Sequence, residues 1–369
     1  MRIVIAGGGT GGHTSAGLAV AAALTGRGAE IHWIGSVAGV EALRVPEAGL
    51  TYHPIATGKL RRYWDRRNLG DLVVRVPRGL GQSWRLLRRL RPAVVFATGG
   101  FVALPPSLAA RALGIPLVVH EQTAVAGLAN RIAGRLATRI GVTFAPPPAG
   151  LPAGRVTVTG NPLRPELTGG SREAACRRFA FDAREPIVYV TGGAQGSNRI
   201  NRTVGEILLP LLEATQVVHQ CGDNPETGDR DWLRERVGNL PPALRGRYAL
   251  VPWVGPELRD VYAAADLVVG RSGAGTVNEC CQLGVPAVFI PLPGGGGDEQ
   301  TANARLLAEA GAAVVLPQAD LTPHALLDSV TALLGDRPRL TAMAERARER
   351  AVPDAAERLV RLILEAAAA

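Results

Sequence analysis

The sequence predicts an α/β chain made of two doubly wound parallel-sheet domains, each Rossmann-like. Three observations carry this expectation. Short runs rich in Val, Ile and Ala alternate with segments of helical period along the whole chain. The 369 residues exceed what one compact core usually holds. A strand pattern followed by a glycine loop occurs twice, as IVIAGGGTGGHT at residues 3–14 and VYVTGGAQGSNR at residues 188–199.

In the first half the expected strands are Ile3–Ala6, Ile31–Ile34, Ala93–Ala97, Leu117–His120, Arg139–Val142 and Val156–Thr159. Helical patterns such as Gly17–Thr25 and Gly79–Leu90 lie between them. The run Gly160-Asn161-Pro162-Leu163-Arg164-Pro165, with Gly169-Gly170 soon after, breaks any periodic element and marks a domain boundary. The pattern restarts with strands at Ile187–Thr191, Gln216–Gln220, Tyr248–Val251, Leu267–Val269, Ala287–Ile290 and Ala313–Leu316. Asp354–Ala368 reads as a closing amphipathic helix. The expected domains are 1–163, joined by a C-terminal helix near 350–369, and 164–349.

Composition narrows the class. Aromatics make up only 4% of a chain that is 47% hydrophobic, which suits aliphatic α/β packing better than a β-sandwich. Lys59 is the one lysine, a skew best read as codon usage. Cys176, Cys221, Cys280 and Cys281 show no CxxC or metal-ligand spacing, so buried thiols in a reducing compartment are expected. The chain enters a strand at once, without signal-peptide organisation, and has no apolar run of about 18 residues. A cytoplasmic protein able to lie against a membrane is the expectation.

The opening loop contains Gly7-x-Gly9-x-x-Gly12, the spacing of a dinucleotide fingerprint. Such a site also needs an acid at the end of the second strand to hold ribose hydroxyls. Here that strand runs out in Gly35-Ser36-Val37, and Glu30 lies at its opposite end. A dehydrogenase is therefore disfavoured. The glycines still suit a phosphate, because backbone N–H groups can approach it and a helix N-terminus adds positive potential. Three more glycine clusters follow strands, at 97–101, 191–197 and 270–276. Several such nests imply one diphosphate substrate, or two substrates that each carry a diphosphate.

Taken in order, GGTGGH at 8–13, GGF at 99–101, HEQ at 120–122, GNPLR at 160–164, GGAQGS at 192–197, RSGAGTVNE at 271–279 and DEQTANA at 298–304 resemble the MurG family of peptidoglycan glycosyltransferases. The resemblance covers nearly the whole chain. It implies the GT-B fold, two Rossmann-like domains facing across a cleft. It also implies inverting transfer of N-acetylglucosamine from UDP-GlcNAc to lipid I, undecaprenyl-diphospho-MurNAc-pentapeptide, giving lipid II for the cell wall. On that basis the second domain takes the donor. Arg164 meets it near the linker, and Gly193, Ala194, Gln195 and Gly196 face its diphosphate. Val254 bonds uracil through its backbone while Trp253 covers the ring. Ala274, Gly275 and Thr276 open a helix against the α-phosphate, and Glu279 accepts from the ribose. Glu299, Gln300 and Asn303 read the sugar.

In the first domain the resemblance gives Gly9, Thr10, Gly11, Gly12, Gly99, Gly100 and Phe101 to the acceptor diphosphate. Thr10, Gly11, Gly12 and Thr123 also reach the donor. His13 is the candidate general base, with Glu121 either a competing base or the group that orients it. His120 and His219 read as structural. Three departures stand out: Ala194 where the family has serine, with Ser197 a partial substitute; Thr123 where it has asparagine; and Ser15-Ala16 where it has a nearby proline. No Asp-x-Asp arrangement with metal-ligand character appears, so no cofactor is required on this reading. Alternatives are a GT-B enzyme with another lipid or antibiotic acceptor, a UDP-GlcNAc 2-epimerase-like enzyme, or a UDP-sugar-binding scaffold.

Residues 59–91 hold eleven cations against Asp65 and Asp71, as large an excess as the net charge of +9 on the whole chain. Leu60, Tyr63, Trp64, Leu80, Trp84, Leu86 and Leu87 are interleaved. No nucleic-acid-reading motif accompanies them. An interfacial patch fits best, with apolar residues at headgroup level and Leu60, Arg61, Arg62, Tyr63, Trp64, Arg85, Arg88 and Arg89 meeting anionic lipid. The resemblance adds a peripheral place on the cytoplasmic face of the cell membrane and association with other cell-wall synthesis proteins.

Overall fold

The structure, a computed structural model, describes residues 1–58, 75–294 and 298–369. The chain forms two compact units. The first comprises the described residues of 1–164 and 352–369 together with 298–299, and the second comprises 165–294 and 300–351.

The first unit runs β1 (Arg2–Gly7), α1 (Gly11–Thr25), β2 (Glu30–Ser36), α2 (Glu41–Glu47), β3 (Thr51–Ile55), α3 (Val76–Leu90), β4 (Val94–Gly99), α4 (Leu104–Ala112), β5 (Leu117–Glu121), α5 (Leu128–Leu136), β6 (Arg139–Val142) and β7 (Val156–Val158). All pairings are parallel, in the order β3-β2-β1-β4-β5-β6-β7. Strand side chains alternate between faces. Ile3 and Ile5 therefore join Val20, Leu24, Trp33 and Phe96 in one core, while Val4 and Ala6 join Ile34, Val95, Leu87 and Leu90 in another. Burial on both faces explains why the strands read as continuous apolar runs.

Two sequence expectations shift. β3 carries no apolar strand pattern, since TYHPI is polar and contains Pro54; it is an edge strand, where proline is tolerated. α1 begins at Gly11, not Gly17, since Thr10 caps it with its side chain, accepting from the His13 N–H.

The second unit runs α6 (Arg172–Phe179), β8 (Ile187–Thr191), α7 (Asn198–Glu206), α8 (Leu208–Ala214), β9 (Gln216–Gln220), α9 (Asp229–Gly238), α10 (Pro242–Arg245), β10 (Tyr248–Val251), α11 (Leu258–Ala264), β11 (Leu267–Gly270), α12 (Ala274–Leu283), β12 (Ala287–Phe289), α13 (Glu299–Glu309), β13 (Ala313–Val315), α14 (Pro323–Leu334) and α15 (Arg337–Glu349). Its sheet is parallel in the order β10-β9-β8-β11-β12-β13. α16 (Ala355–Ala368) then returns to the first unit, where Leu359, Val360, Leu362 and Ile363 pack with Ile3 and Ile5. Arg164, expected to open the donor domain, is the last residue of the first unit.

In each sheet the strand order reverses between the first strand and its later neighbour, β1 beside β4 and β8 beside β11. The crevice outside the carboxyl ends at such a switch point is where doubly wound sheets bind ligands.

Candidate active site

Both switch points carry the glycine loops. In the first unit the loop after β1 is shaped from below by Glu41. This carboxylate is 0% exposed. Its Oε2 accepts from the Gly9 N–H at 2.9 Å; its Oε1 accepts from the Ser36 N–H at 3.0 Å and the Ser36 hydroxyl at 2.6 Å. Gly8, at φ +149°, is required here because a Cβ would overlap the Glu41 carboxylate. The acid that the sequence appeared to lack after β2 is thus present five residues beyond Ser36, turned to the protein's own loop. It also takes the Gly9 amide, the residue expected at the acceptor diphosphate. Gly11 and Gly12, at the first two positions of α1, have amides that no intrahelical acceptor can reach.

His13 follows them. The ring lies against Gly99, which has φ +111° and where a Cβ would strike it. His13 Nδ1 is buried without a hydrogen-bond partner, which leaves Nε2 as the nitrogen a substrate can meet. Burial lowers its pKa below 6.5, and the nearby Glu121 charge pulls the other way. The imidazole is therefore a neutral free base at neutral pH.

Glu121, at the end of β5, is 2% exposed and surrounded by donors. It accepts from the Thr123 N–H at 3.0 Å, the Thr123 hydroxyl at 2.8 Å, the Gly127 N–H at 3.1 Å and Asn130 Nδ2 at 2.9 Å. A carboxylate so engaged orients and stabilises more readily than it abstracts a proton. The hydroxyl of Thr123, the residue expected to reach the donor, lies 2.8 Å from Glu121 Oε1 and 2.7 Å from the Val125 carbonyl. His120 is fully buried beside them, its Nε2 3.0 Å from the Gly160 carbonyl and its pKa pushed down to about 4 by burial.

In the second unit the Gly192–Ser197 loop partly satisfies itself. Gly193 N–H donates to the Thr191 hydroxyl at 3.0 Å, and Gly196 N–H to the Gly193 carbonyl at 3.1 Å. Ala194 and Gln195 form the exposed tip. Ser197, expected as a partial substitute for the hydroxyl absent at 194, caps α7 and accepts from Arg271 at 2.8 Å. After β11, α12 starts behind Gly273, which offers no side-chain cap. The amides of Ala274, Gly275 and Thr276 thus form an open anion nest. Half-buried Glu279 lies farther along this helix and accepts from the Tyr262 hydroxyl at 2.6 Å.

Val254 is buried and its N–H donates to Gln220 Oε1 at 3.0 Å, so only its carbonyl remains to meet a base. Trp253 beside it is 44% exposed. Gln300 Oε1 accepts from the Leu292 N–H at 2.9 Å, and Asn303 Nδ2 donates to the Ser272 carbonyl at 3.1 Å.

Residues 187–359 match the Glycosyltransferase family 28 C-terminal domain, and residues 3–142 its N-terminal domain. The UDP-N-acetylglucosamine--N-acetylmuramyl-(pentapeptide) pyrophosphoryl-undecaprenol N-acetylglucosamine transferase of Halorhodospira halophila is 42% identical over 99% of this chain and 98% of its own length. Its namesake from Salinibacter ruber is 42% identical over 98% and 96%. The crystal structure of Acinetobacter baumannii MurG superimposes with a TM-score of 0.74 at 30% identity, covering 99% of each chain. The chain belongs to the MurG family of glycosyltransferases.

Within this family member, two further functional candidates emerge from the fold. Glu41 sits outside the glycine motifs; its sequence signal is the glycines at 8, 35 and 39 that make room for it. Arg271 opens RSGAGTVNE, and only the fold shows what it holds. Its guanidinium donates to the Ile290 carbonyl at 2.9 Å, Ser197 Oγ at 2.8 Å and Gln318 Oε1 at 2.7 Å, all neutral acceptors. Burial lowers its pKa to about 10, so it stays cationic at neutral pH behind the 192–197 loop. Among the described residues no helix is long and apolar enough to cross a membrane, and no cluster has metal-ligand character.

On α3, Arg85, Arg88 and Arg89 are exposed and the Arg88 guanidinium lies 5.1 Å from the Trp84 ring centre. Leu87 and Leu90 pack into the core with Leu80 and Leu86 against it, so of the apolar residues expected to face lipid on this helix only Trp84 is exposed. Leu60, Arg61, Arg62, Tyr63 and Trp64 lie outside the described residues.

Proposed function

We propose that this glycosyltransferase moves N-acetylglucosamine from UDP-GlcNAc to lipid I, with the second unit holding the donor and the first holding the acceptor. The observation that carries this reading is the matched pair of open nests at the two switch points, one ending in a neutral histidine and the other leading to Glu279. In the first, the Gly11 and Gly12 amides bind the acceptor diphosphate. His13 Nε2 takes the proton from the acceptor sugar hydroxyl as its oxygen attacks the anomeric carbon. The new C–O bond forms, the bond from that carbon to the diphosphate breaks with inversion, and UDP leaves. Glu121 stabilises the imidazolium that results.

In the second nest the α12 amides and the buried Arg271 charge stabilise the leaving diphosphate. Glu279 accepts from the ribose hydroxyls, the Val254 carbonyl accepts from uracil, and Gln300 and Asn303 meet the sugar. Charge on the leaving group is answered by these residues without a protein-bound metal. The exposed arginines of α3 meet anionic lipid, which keeps a lipid-linked acceptor within reach.

The test is purified protein with UDP-GlcNAc labelled in the sugar and lipid I. Label entering the lipid is the expected result. Free N-acetylmannosamine formed without acceptor, or nucleotide binding with no turnover, would remove the proposal.

A further inference from the structure

The side chain of Glu279 is held by a residue outside every motif of the sequence. Tyr262, on α11, is 3% exposed, and its hydroxyl donates to Glu279 Oε2 at 2.6 Å. Its ring is fixed from the other side by Tyr189 of β8, edge-on at 81° with ring centres 5.5 Å apart. The phenol therefore has no freedom to follow a moving carboxylate. Burial and the neighbouring Glu279 charge push its pKa well above 10, so it remains a donor. A glutamate side chain has several rotatable bonds, and one short hydrogen bond from a locked donor selects one arrangement among them.

We propose that Tyr262 is a positioning residue for nucleotide recognition: it fixes the Glu279 carboxylate in the orientation that accepts from ribose hydroxyls, and so sets discrimination between ribo- and deoxyribonucleotides. This rests on the reading that Glu279 meets the ribose. Tyr262 touches no substrate itself and acts only through the acid.

The experiment is calorimetric titration of the full chain with UDP and with 2′-deoxy-UDP. The unaltered protein binds UDP the more tightly. Glu279→Ala abolishes the difference. Tyr262→Phe, which keeps the ring, weakens UDP about three- to ten-fold, leaves 2′-deoxy-UDP within about two-fold, and raises KM for the sugar nucleotide with little change in kcat. In the Glu279→Ala background, Tyr262→Phe has no further effect on UDP. An unchanged UDP to deoxy-UDP ratio in Tyr262→Phe, or an equal loss for both ligands, overturns the proposal. A ratio that survives Glu279→Ala overturns the ribose reading instead. Should Tyr262→Phe fold poorly, Tyr189→Leu provides the second measurement. It removes the ring that fixes Tyr262 from its other side and leaves both the phenol and Glu279 in place, so UDP weakens and the ratio falls; an unchanged ratio refutes the positioning role.

Discussion

Replacing Glu41 by Gln keeps the side chain's size and removes one of its two acceptor oxygens. In the structure both are used, Oε2 by the Gly9 N–H at 2.9 Å and Oε1 by Ser36 through its N–H and hydroxyl. An amide whose oxygen stays on Ser36 satisfies both of those donors. Its NH₂ then faces the Gly9 N–H, donor against donor. A hydrogen bond to a charged group contributes about 1.5–3 kcal/mol, and a stranded donor costs a similar amount that overlaps with it. We expect about 2–3 kcal/mol, confined to the loop between β1 and α1. At about 1.36 kcal/mol per decade this is roughly 30- to 160-fold faster amide exchange. Hydrogen exchange followed by mass spectrometry of peptides spanning residues 7–13 in the full chain reads it directly. UDP affinity should not change if the donor nest lies in the other unit, as proposed. Unaltered exchange in that peptide, or equal acceleration throughout the second unit, would refute the reasoning.

His13→Gln should lower turnover about 10²- to 10⁴-fold while leaving the Kd for UDP within about two-fold. In the unaltered enzyme the low pKa of His13 keeps the base free below pH 6.5, so kcat/KM should fall only as pH drops through that lowered value; an acid limb centred above 6.5 contradicts this. Burial holds His120 to about 4 and His219 to about 3, so the unfolded chain protonates first as pH falls below 6.5. Stability present above 6.5 should then decline towards pH 4 by up to about 1.4 kcal/mol per pH unit for each histidine. Thermal midpoints of His219→Gln should show a shallower slope over that window, and an identical slope argues against it. Changing Arg85, Arg88 and Arg89 to Glu should abolish co-sedimentation with anionic vesicles and leave the weak binding to neutral ones; equal binding of the unaltered protein to both vesicle types removes the electrostatic role.

What could be read from the sequence follows from what determines each feature. The central strands are buried on both faces, so Ile3–Ala6 and Leu117–His120 announced themselves as apolar runs. β3 did not, since an edge strand with one wet face and a proline has no such constraint. Glycine loops revealed where phosphates suit the backbone, but not which amides remain open. That depends on partners distant in sequence: Glu41 for Gly9, and Gln220 for Val254. The apolar residues of 76–90 looked like a membrane face because their spacing also fits a core-facing helix, and Leu87 and Leu90 belong to the core. Tyr262 lacked any local signal, because only the tertiary fold brings α11 to α12.

The return of α16 to the first unit has a consequence for biosynthesis. Among the described residues the second unit occupies 165–351 apart from 298–299, whereas the first is closed by residues 352–369. On a translating ribosome, Ile3, Ile5 and Phe96 are made early but wait for Leu359 and Ile363 to cover them. The inserted unit can complete its sheet in the interval. The face that α16 later covers is thus the nascent chain's exposed apolar surface, where a chaperone would hold it and where a premature stop would leave it open to aggregation.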